Sequence, residues 1–227
     1  MNFYGHLTVA TWTRPGREDP RFGLGAMLPD FAGMVRARPP STRAPSPLSE
    51  GIGNHHEVDA VFHGTASFLA LCREGADAMR GARRGTVRAA AHIGAELFLD
   101  GWLHARLPRA EAYAAALVAG APERGGAELS WQEDDAAKRF EALRTRLLAF
   151  GVPEDHGPEA VFRRLERTLA ARPRLRIDAG DAPIVREGLE ELAERVETRA
   201  SALVDELRTG LRARAAARDA AGLYDAP

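Results

Sequence analysis

The pattern of apolar and polar positions predicts helices over most of the chain. The clearest example is a long amphipathic segment that runs to about Arg218, in which apolar residues recur at helical spacing near one face: Val185, Leu189, Leu192, Val196, Leu203, Leu207 and Leu211. No segment shows a convincing strand-like alternation, and no internal repeat is present. The pattern therefore predicts an all-α protein, with residues 1–227 in a single bundle of seven to nine helices.

Local signals mark several helix starts. Thr65 precedes an apolar segment and suits an N-cap, and Pro158 suits the first turn of a helix. Ser130 and Glu133 have the spacing of a capping box, which predicts that a helix starts there.

Other segments read as breaks between helices. Residues 11–23 are rich in Arg, Pro and Gly and predict a loop, and residues 38–47 form a proline- and serine-rich loop that excludes regular structure. Pro29 predicts a local break in an apolar run, and residues 219–227 predict a frayed tail.

Composition narrows the class of protein. Apolar residues make up 45% and charged residues 28% of the chain, which is ordinary for a globular protein and excludes disordered and fibrous classes. The net charge of -1 gives no bulk field that would favour nucleic acid or an anionic membrane. Cys72 is the single cysteine and lies in an apolar helical run, where it is expected to pack as a small hydrophobe. Because we find neither a signal peptide nor an apolar run long enough to span a membrane, we expect a cytoplasmic protein.

Two helical segments carry matched sets of polar residues. In the first, His55, Asp59 and His63 are spaced four residues apart and fall on one side of a helix. In the second, His92, Glu96 and Asp100 repeat this spacing within a more apolar helix. Imidazole and carboxylate groups are metal ligands and proton carriers. Each histidine taken alone is better explained as a surface or hydrogen-bonded residue. Because two helices carry matched sets, a metal site explains them as well as that interpretation does.

Five motifs, in this order, resemble the acyl carrier protein phosphodiesterases, a family related to the HD-domain metallohydrolases. They are MNFYGHLTVA at the start, GAMLPDF, GIGNHHEVDAVFH, AELFLDGWL, and LAARPRL near residues 169–175. The resemblance spans nearly the whole chain and implies an HD-domain-like helical fold. It also implies that the family's catalytic polar positions fall on four residues that are unchanged here: His6, Asp30, His55 and Asp59.

The chain departs from the family pattern at five positions. Asp is replaced by His63, an acidic position by His92, and the Asp of a later Asp-His pair by Glu96, so that one type of ligand replaces another. Thr8 and Leu97 instead stand where the family has histidines, and each loses a ligand or a proton carrier. The implied metal set is His6, Asp30, His55, Asp59, His63, His92 and Glu96. The added imidazoles favour Mn²⁺, with Fe, Ni²⁺ or Zn²⁺ as alternatives to Mg²⁺.

The resemblance implies a hydrolase of lipid metabolism that releases 4′-phosphopantetheine from the serine of acyl carrier protein. Arg36, Arg83 and Arg84 are then candidates to hold the phosphate, and the RGARRG turn or the 36–43 loop a candidate docking surface for the acidic carrier. Alternatives are a di-iron oxygenase of the HD type that acts on a small substrate, a non-catalytic carrier-binding or scaffold descendant of the family, and an unrelated helical interaction domain. We expect no nucleic-acid or membrane partner.

Overall fold

The computed structural model describes residues 1–13, 19–43, 45–152 and 154–220. In these ranges the chain forms nine α-helices and a single two-stranded sheet, which confirms the all-α prediction. The elements, in chain order, are α1 (Phe3–Thr13), α2 (Pro20–Met34), β1 (Ser41–Thr42), α3 (Pro47–Phe62), α4 (Ala66–Ala78), α5 (Arg84–Arg106), α6 (Ala110–Ala119), β2 (Leu129–Ser130), α7 (Ala136–Phe150), α8 (Pro158–Leu169) and α9 (Ala182–Ala220).

Several local predictions are confirmed. The Thr65 side chain accepts a hydrogen bond from the Phe68 N–H and caps α4, and Pro158 occupies the first turn of α8. The seven apolar residues predicted for one face of α9 are all buried. The periodicity therefore identified the helix face that packs in the core.

The capping-box prediction at Ser130 is wrong. Ser130 lies in β2, where it pairs with Ser41 of β1 in an antiparallel register, and α7 begins only at Ala136. The prediction that residues 38–47 exclude regular structure is also wrong at this point. Ser41 and Thr42 of this proline-rich segment are extended, and extended backbone can hydrogen-bond to a second strand.

The N-terminal breaks also differ from the prediction. Helix α2 begins at Pro20, inside the predicted loop, because Asp19 accepts a hydrogen bond from Arg21 N–H and caps the helix. The helix continues through Pro29, since most of its residues pack in the core. Of the predicted loop, residues 14–18 lie outside the described part of the chain, as do residues 221–227 of the predicted tail.

The described residues form two compact units, and the boundary between them falls within α3 and within α5. The first unit comprises Met1–Val58 and Leu103–Glu154. Its core is an aromatic and aliphatic cluster that includes Phe3, Phe31 and Tyr113. In this unit α2 packs against both α1 and α6.

The second unit comprises Asp59–Trp102 and the residues from Asp155 onward. Its main packing is α4 against α9, with α8 also lying on α9. Glu74 of α4 receives hydrogen bonds from Arg195 and Arg199 of α9, and Glu206 of α9 accepts one from the Ser67 hydroxyl at the start of α4. Charged contacts at both ends thus align the two helices around their apolar faces.

Among the described residues, no helix combines the length and the apolar character needed to cross a membrane. The single-domain and HD-domain-like predictions stay predictions, as does the cytoplasmic location.

Candidate metal centre

The crossing of α2 and α3 in the first unit fixes one candidate ligand. A Cβ on Gly51 would lie 2.2 Å from the Phe22 carbonyl oxygen, and a Cβ on Gly25 would lie 2.2 Å from the Leu48 carbonyl oxygen. Only glycine permits so close an approach of two backbones. One turn beyond Gly51, the approach lets His55 reach across to α2.

His55 is held by the backbone of α2. Its Nδ1 lies 2.9 Å from the carbonyl oxygen of Ala26, and its side chain is buried. Because a carbonyl can only accept a hydrogen bond, Nδ1 carries the proton, and in the neutral ring the lone pair is then on Nε2. A backbone carbonyl on one ring nitrogen is the usual support of a histidine that binds a metal ion through the other.

His6 of α1 is fully buried beside His55. The two imidazole rings stack with their centroids 3.8 Å apart and their planes 24° apart. Asp59 follows His55 by one turn on the same side of the continuous helix α3. His6, His55 and Asp59 are therefore one group of potential ligands.

Asp30 does not join this group. It lies within α2 and is half buried. Among the described residues, the groups that could hold a metal ion do not include it.

The second group of potential ligands lies in the second unit. His63 directly follows α3, and α5 provides His92 and Glu96. One carboxylate oxygen of Glu96, Oε1, lies 3.1 Å from Nε2 of His63 and 3.2 Å from Nε2 of His92. Both imidazoles thus contact the same carboxylate oxygen.

These three side chains differ in exposure. Glu96 is largely buried, with 15% of its side chain exposed, whereas His63 and His92 are exposed by 39% and 45%. Phe68 of α4 packs against both rings, at centroid distances of 5.3 Å and 5.1 Å. The carboxylate is therefore anchored in the protein while both imidazoles remain accessible from solvent.

The protonation of this group follows from its contacts. Burial favours the neutral acid, but nearby positive charge and the hydrogen bonds from His63 and His92 outweigh it, so the pKa of Glu96 lies well below its usual range. Hydrogen bonding to Cys72, and then to Glu96, raises the pKa of His92 to about 9. In the metal-free protein, hydrogen bonds between the two imidazoles and the ionised carboxylate of Glu96 hold the group together.

Cys72 is a part of this site that the sequence reasoning missed, because the apolar run around it predicts only a core residue. Its Sγ lies 3.9 Å from Nδ1 of His92, the ring nitrogen opposite to the one that faces Glu96. The sequence does carry a signal for this contact: Cys72 follows Phe68 by one turn on α4, and both side chains face the His92 ring.

The other candidates have structural roles. Asp100 is only 2% exposed and lies near the guanidinium of Arg164, so it faces the interior of the second unit and is not one of the grouped ligands. The Thr8 hydroxyl donates to the carbonyl oxygen of Tyr4 in its own helix, and Leu97 is buried.

The three arginines proposed to bind phosphate differ in their contacts and surroundings. Arg83 donates to Asp181 from both its backbone N–H and its Nε and also pairs with Asp178, which makes it a poor phosphate ligand. Arg84 is exposed beside it. Arg36 is exposed after α2 with a φ of 54°, an unusual conformation for a residue other than glycine.

Comparisons with known proteins give no independent guide to this site. No protein-family model, no curated protein and no solved structure matches the chain. A functional assignment therefore rests on the two groups of potential ligands and on the sequence motifs.

Proposed function

We propose that the protein is a metal-dependent hydrolase that cleaves phosphodiester bonds. The observation that carries the proposal is the convergence of His63, His92 and Glu96 on one point, in a position that solvent reaches. Two histidines and one glutamate are a donor set that recurs in hydrolytic metal sites. The exposed sides of both imidazoles leave room for water and a substrate.

The spacing of the donor atoms fits one ion. Two ligands at about 2.1 Å from an ion, at a right angle to each other, are roughly 3.0 Å apart. The separations of 3.1 Å and 3.2 Å between Oε1 of Glu96 and the two Nε2 atoms are close to this value. A divalent ion could therefore take the place of the shared protons with small side-chain movements.

A bound divalent ion would lower the pKa of a water ligand and polarise a phosphoryl oxygen. The protein's own residues have three tasks at this centre. Glu96 provides the buried negative charge that favours a cation, and His63 and His92 would provide the nitrogen donors. Cys72 contacts the far side of the His92 ring and orients it.

The mixed nitrogen and oxygen donors favour Mn²⁺, with Fe, Ni²⁺ and Zn²⁺ as alternatives. The first group, His6 with His55 and Asp59, would hold a second ion. Its buried position suits a structural or supporting role better than direct contact with a large substrate.

For the substrate, we propose the phosphodiester that links 4′-phosphopantetheine to a serine of an acidic carrier protein. The support is the ordered set of sequence motifs and their resemblance to acyl carrier protein phosphodiesterases. Membership of that family and its HD-domain-like fold are part of the proposal.

The test combines metal content with activity. Purified untagged protein is analysed by mass spectrometry for bound metals, and hydrolysis of bis(p-nitrophenyl) phosphate and of holo-acyl carrier protein is followed. A His63→Ala, Glu96→Gln variant is expected to lose one equivalent of metal and the hydrolysis, and a His55→Ala, Asp59→Ala variant to lose metal from the first group. His56→Ala, an exposed neighbour of His55, is the matched control. Protein that stays metal-free after incubation with Mn²⁺, Fe²⁺ and Zn²⁺ would refute the proposal.

A second candidate is an iron-dependent oxygenase. Two histidines and one carboxylate also form the donor set of non-haem iron oxygenases. A visible absorption band and oxygen consumption in the iron-loaded protein, without phosphodiester hydrolysis, would favour it. Metal-free protein that binds a carrier would instead favour the non-catalytic alternative, for which the structural roles of Thr8 and Leu97 are the support.

A further inference from the structure

Five exposed arginines from two separate segments of the second unit form one surface. We call this the arginine surface, and it consists of Arg84, Arg88, Arg172, Arg174 and Arg176. The segments that provide it, 80–88 and 172–181, contain seven arginines and two aspartates. This is a strong local excess of positive charge in a chain whose net charge is -1.

Hydrogen bonds and a close backbone approach bring the two segments together. The carbonyl oxygen of Arg176 accepts hydrogen bonds from the Arg83 side chain and, at 3.1 Å, from the Thr86 hydroxyl. A Cβ on Gly85 would lie 2.4 Å from the carbonyl oxygen of Arg174, so the loop rests directly on the first turn of α5. The arginines of the loop are therefore neighbours of Arg84.

The two aspartates do not neutralise this surface. Asp178 and Asp181 both pair with Arg83, and Arg80 pairs with Asp77. Within the described part of the chain, the five side chains of the arginine surface make no ion pair or hydrogen bond of their own. The positive N-terminal end of α5 lies in the same place and adds to the potential.

The surface leads to the candidate metal centre along α5. Arg88 precedes His92 by one turn and Arg84 precedes it by two, so all three face the same side of the helix. The corresponding distances along the helix axis are about 6 Å and 12 Å. A molecule held at the arginine surface would therefore extend toward His63, His92 and Glu96.

We propose that the arginine surface docks an acidic protein and directs its phosphodiester-bearing residue to the metal centre. The guanidinium group pairs with carboxylates in a two-point geometry, and several such pairs on one surface suit a partner rich in Asp and Glu. Docking follows from the charge and placement of the arginines alone, whereas the delivery of a phosphodiester rests on the proposed function.

A protein fits this surface better than a nucleic acid does. Segments 80–88 and 172–181 contain no aromatic residue, so they offer no platform on which bases could stack. The chain as a whole also lacks the basic field that is typical of proteins that follow a phosphate backbone.

The test is a binding assay in which poly-L-glutamate is the probe. Fluorescein-labelled poly-L-glutamate is titrated with the full-length protein at low salt in the presence of EDTA, and fluorescence anisotropy is recorded. The variant Arg174→Glu, Arg176→Glu is compared with Arg212→Glu, Arg214→Glu, a control that makes the same change of charge at exposed positions of α9. We expect at least a tenfold loss of affinity in the first variant and less than a twofold loss in the control.

Three outcomes would overturn the proposal: no binding by the wild-type protein, equal losses in both variants, or tighter binding of a single-stranded oligonucleotide of equal length than of poly-L-glutamate. Because EDTA removes divalent metals, this assay is independent of the metal centre. Glu96→Gln is expected to abolish phosphodiester hydrolysis and leave poly-L-glutamate binding unchanged. Wild-type protein that binds the probe but hydrolyses no phosphodiester would refute the delivery step and the proposed function, and leave the docking surface established.

Discussion

The close crossing of α2 and α3 predicts that one added methyl group has opposite effects at two neighbouring positions. Gly51 and Gly53 are both in α3, but a Cβ at Gly51 would meet the backbone of α2, whereas a Cβ at Gly53 would have nothing within 4 Å. The substitutions Gly51→Ala and Gly53→Ala therefore share the same gain in helix propensity and differ only in the contact across the crossing.

The geometry sets the magnitude. At Gly51 the Cβ would lie 2.2 Å from the Phe22 carbonyl oxygen and 2.9 Å from both Ala26 N and Gly25 Cα. Carbon and oxygen atoms in close contact are about 3.3 Å apart, so the two backbones would have to separate by about 1 Å. Overpacking of this kind costs about 1–3 kcal/mol. Replacing a helical glycine by alanine recovers up to about 1 kcal/mol of helix propensity.

Gly51→Ala is accordingly expected to lower the free energy of unfolding by roughly 1 kcal/mol, which is the cost of overpacking less the gain in helix propensity, and Gly53→Ala to raise it by about 0.5–1 kcal/mol. Urea denaturation followed by circular dichroism at 222 nm measures both. The double variant Gly25→Ala, Gly51→Ala is expected to cost less than the sum of its two single variants, because the first methyl group already separates the helices.

The same substitution has a functional readout. Separation of the helices would lengthen the 2.9 Å hydrogen bond from Nδ1 of His55 to the Ala26 carbonyl, and metal bound to the first group would be weakened in Gly51→Ala but not in Gly53→Ala. Equal stability of the two alanine variants would refute the reasoning, since it would mean that the backbones of α2 and α3 do not approach this closely.

Three further predictions concern individual side chains. The buried hydroxyl of Tyr113 has no hydrogen-bond partner in the described part of the chain, so Tyr113→Phe should leave the free energy of unfolding unchanged or raise it by up to about 1 kcal/mol. Tyr4→Phe loses contacts to a histidine and a backbone N–H, so it should lower the free energy of unfolding by about 1–2 kcal/mol. Two arginines of α9 lower the pKa of Glu74, so the ionised carboxylate stabilises the protein at pH values above the pKa of Glu74 in the unfolded chain, about 4.5. The difference in urea midpoint between wild type and Glu74→Gln should therefore shrink as the pH falls below this value. A constant difference would refute the ionic contribution. Cys72→Ala should weaken metal binding at His92 about tenfold, whereas Cys72→Ser should retain it. Isothermal titration calorimetry measures both affinities. Equal affinities of the two variants would show that the sulfur only fills space.

Much of the helical architecture could be predicted because helix periodicity is a local property. The buried face of α9, the Thr65 cap and the first turn of α8 at Pro158 each depend on residues within a few turns of one another. The false capping box at Ser130 shows the limit of this reasoning. Its local pattern was correct in form, but a strand partner about ninety residues before it in the chain determined its conformation.

In the candidate site, too, relations within one helix could be predicted from the sequence, whereas contacts between helices could not. The i, i+4 relations of His55 with Asp59 and of His92 with Glu96 follow from helix geometry and were predictable. The approach of His63 to Glu96 and of Cys72 to His92 depends on the packing of three helices, which no spacing along one helix encodes. The exclusion of Asp30 from the ligand groups likewise depends on where α2 lies in three dimensions.

The pairing of α4 with α9 has a consequence for synthesis on the ribosome. Ser67 and Glu206, which hold the two helices together, are 139 residues apart in the chain. At about 5–20 residues per second, the translation of that interval takes on the order of ten seconds. During this time the apolar side of α4 has no α9 to cover it, and the first unit receives its last residues, Leu103–Glu154. The nascent chain therefore passes through a stage at which the first unit has all of its residues while α4 still lacks its partner helix, because Glu154 precedes α9 in the chain.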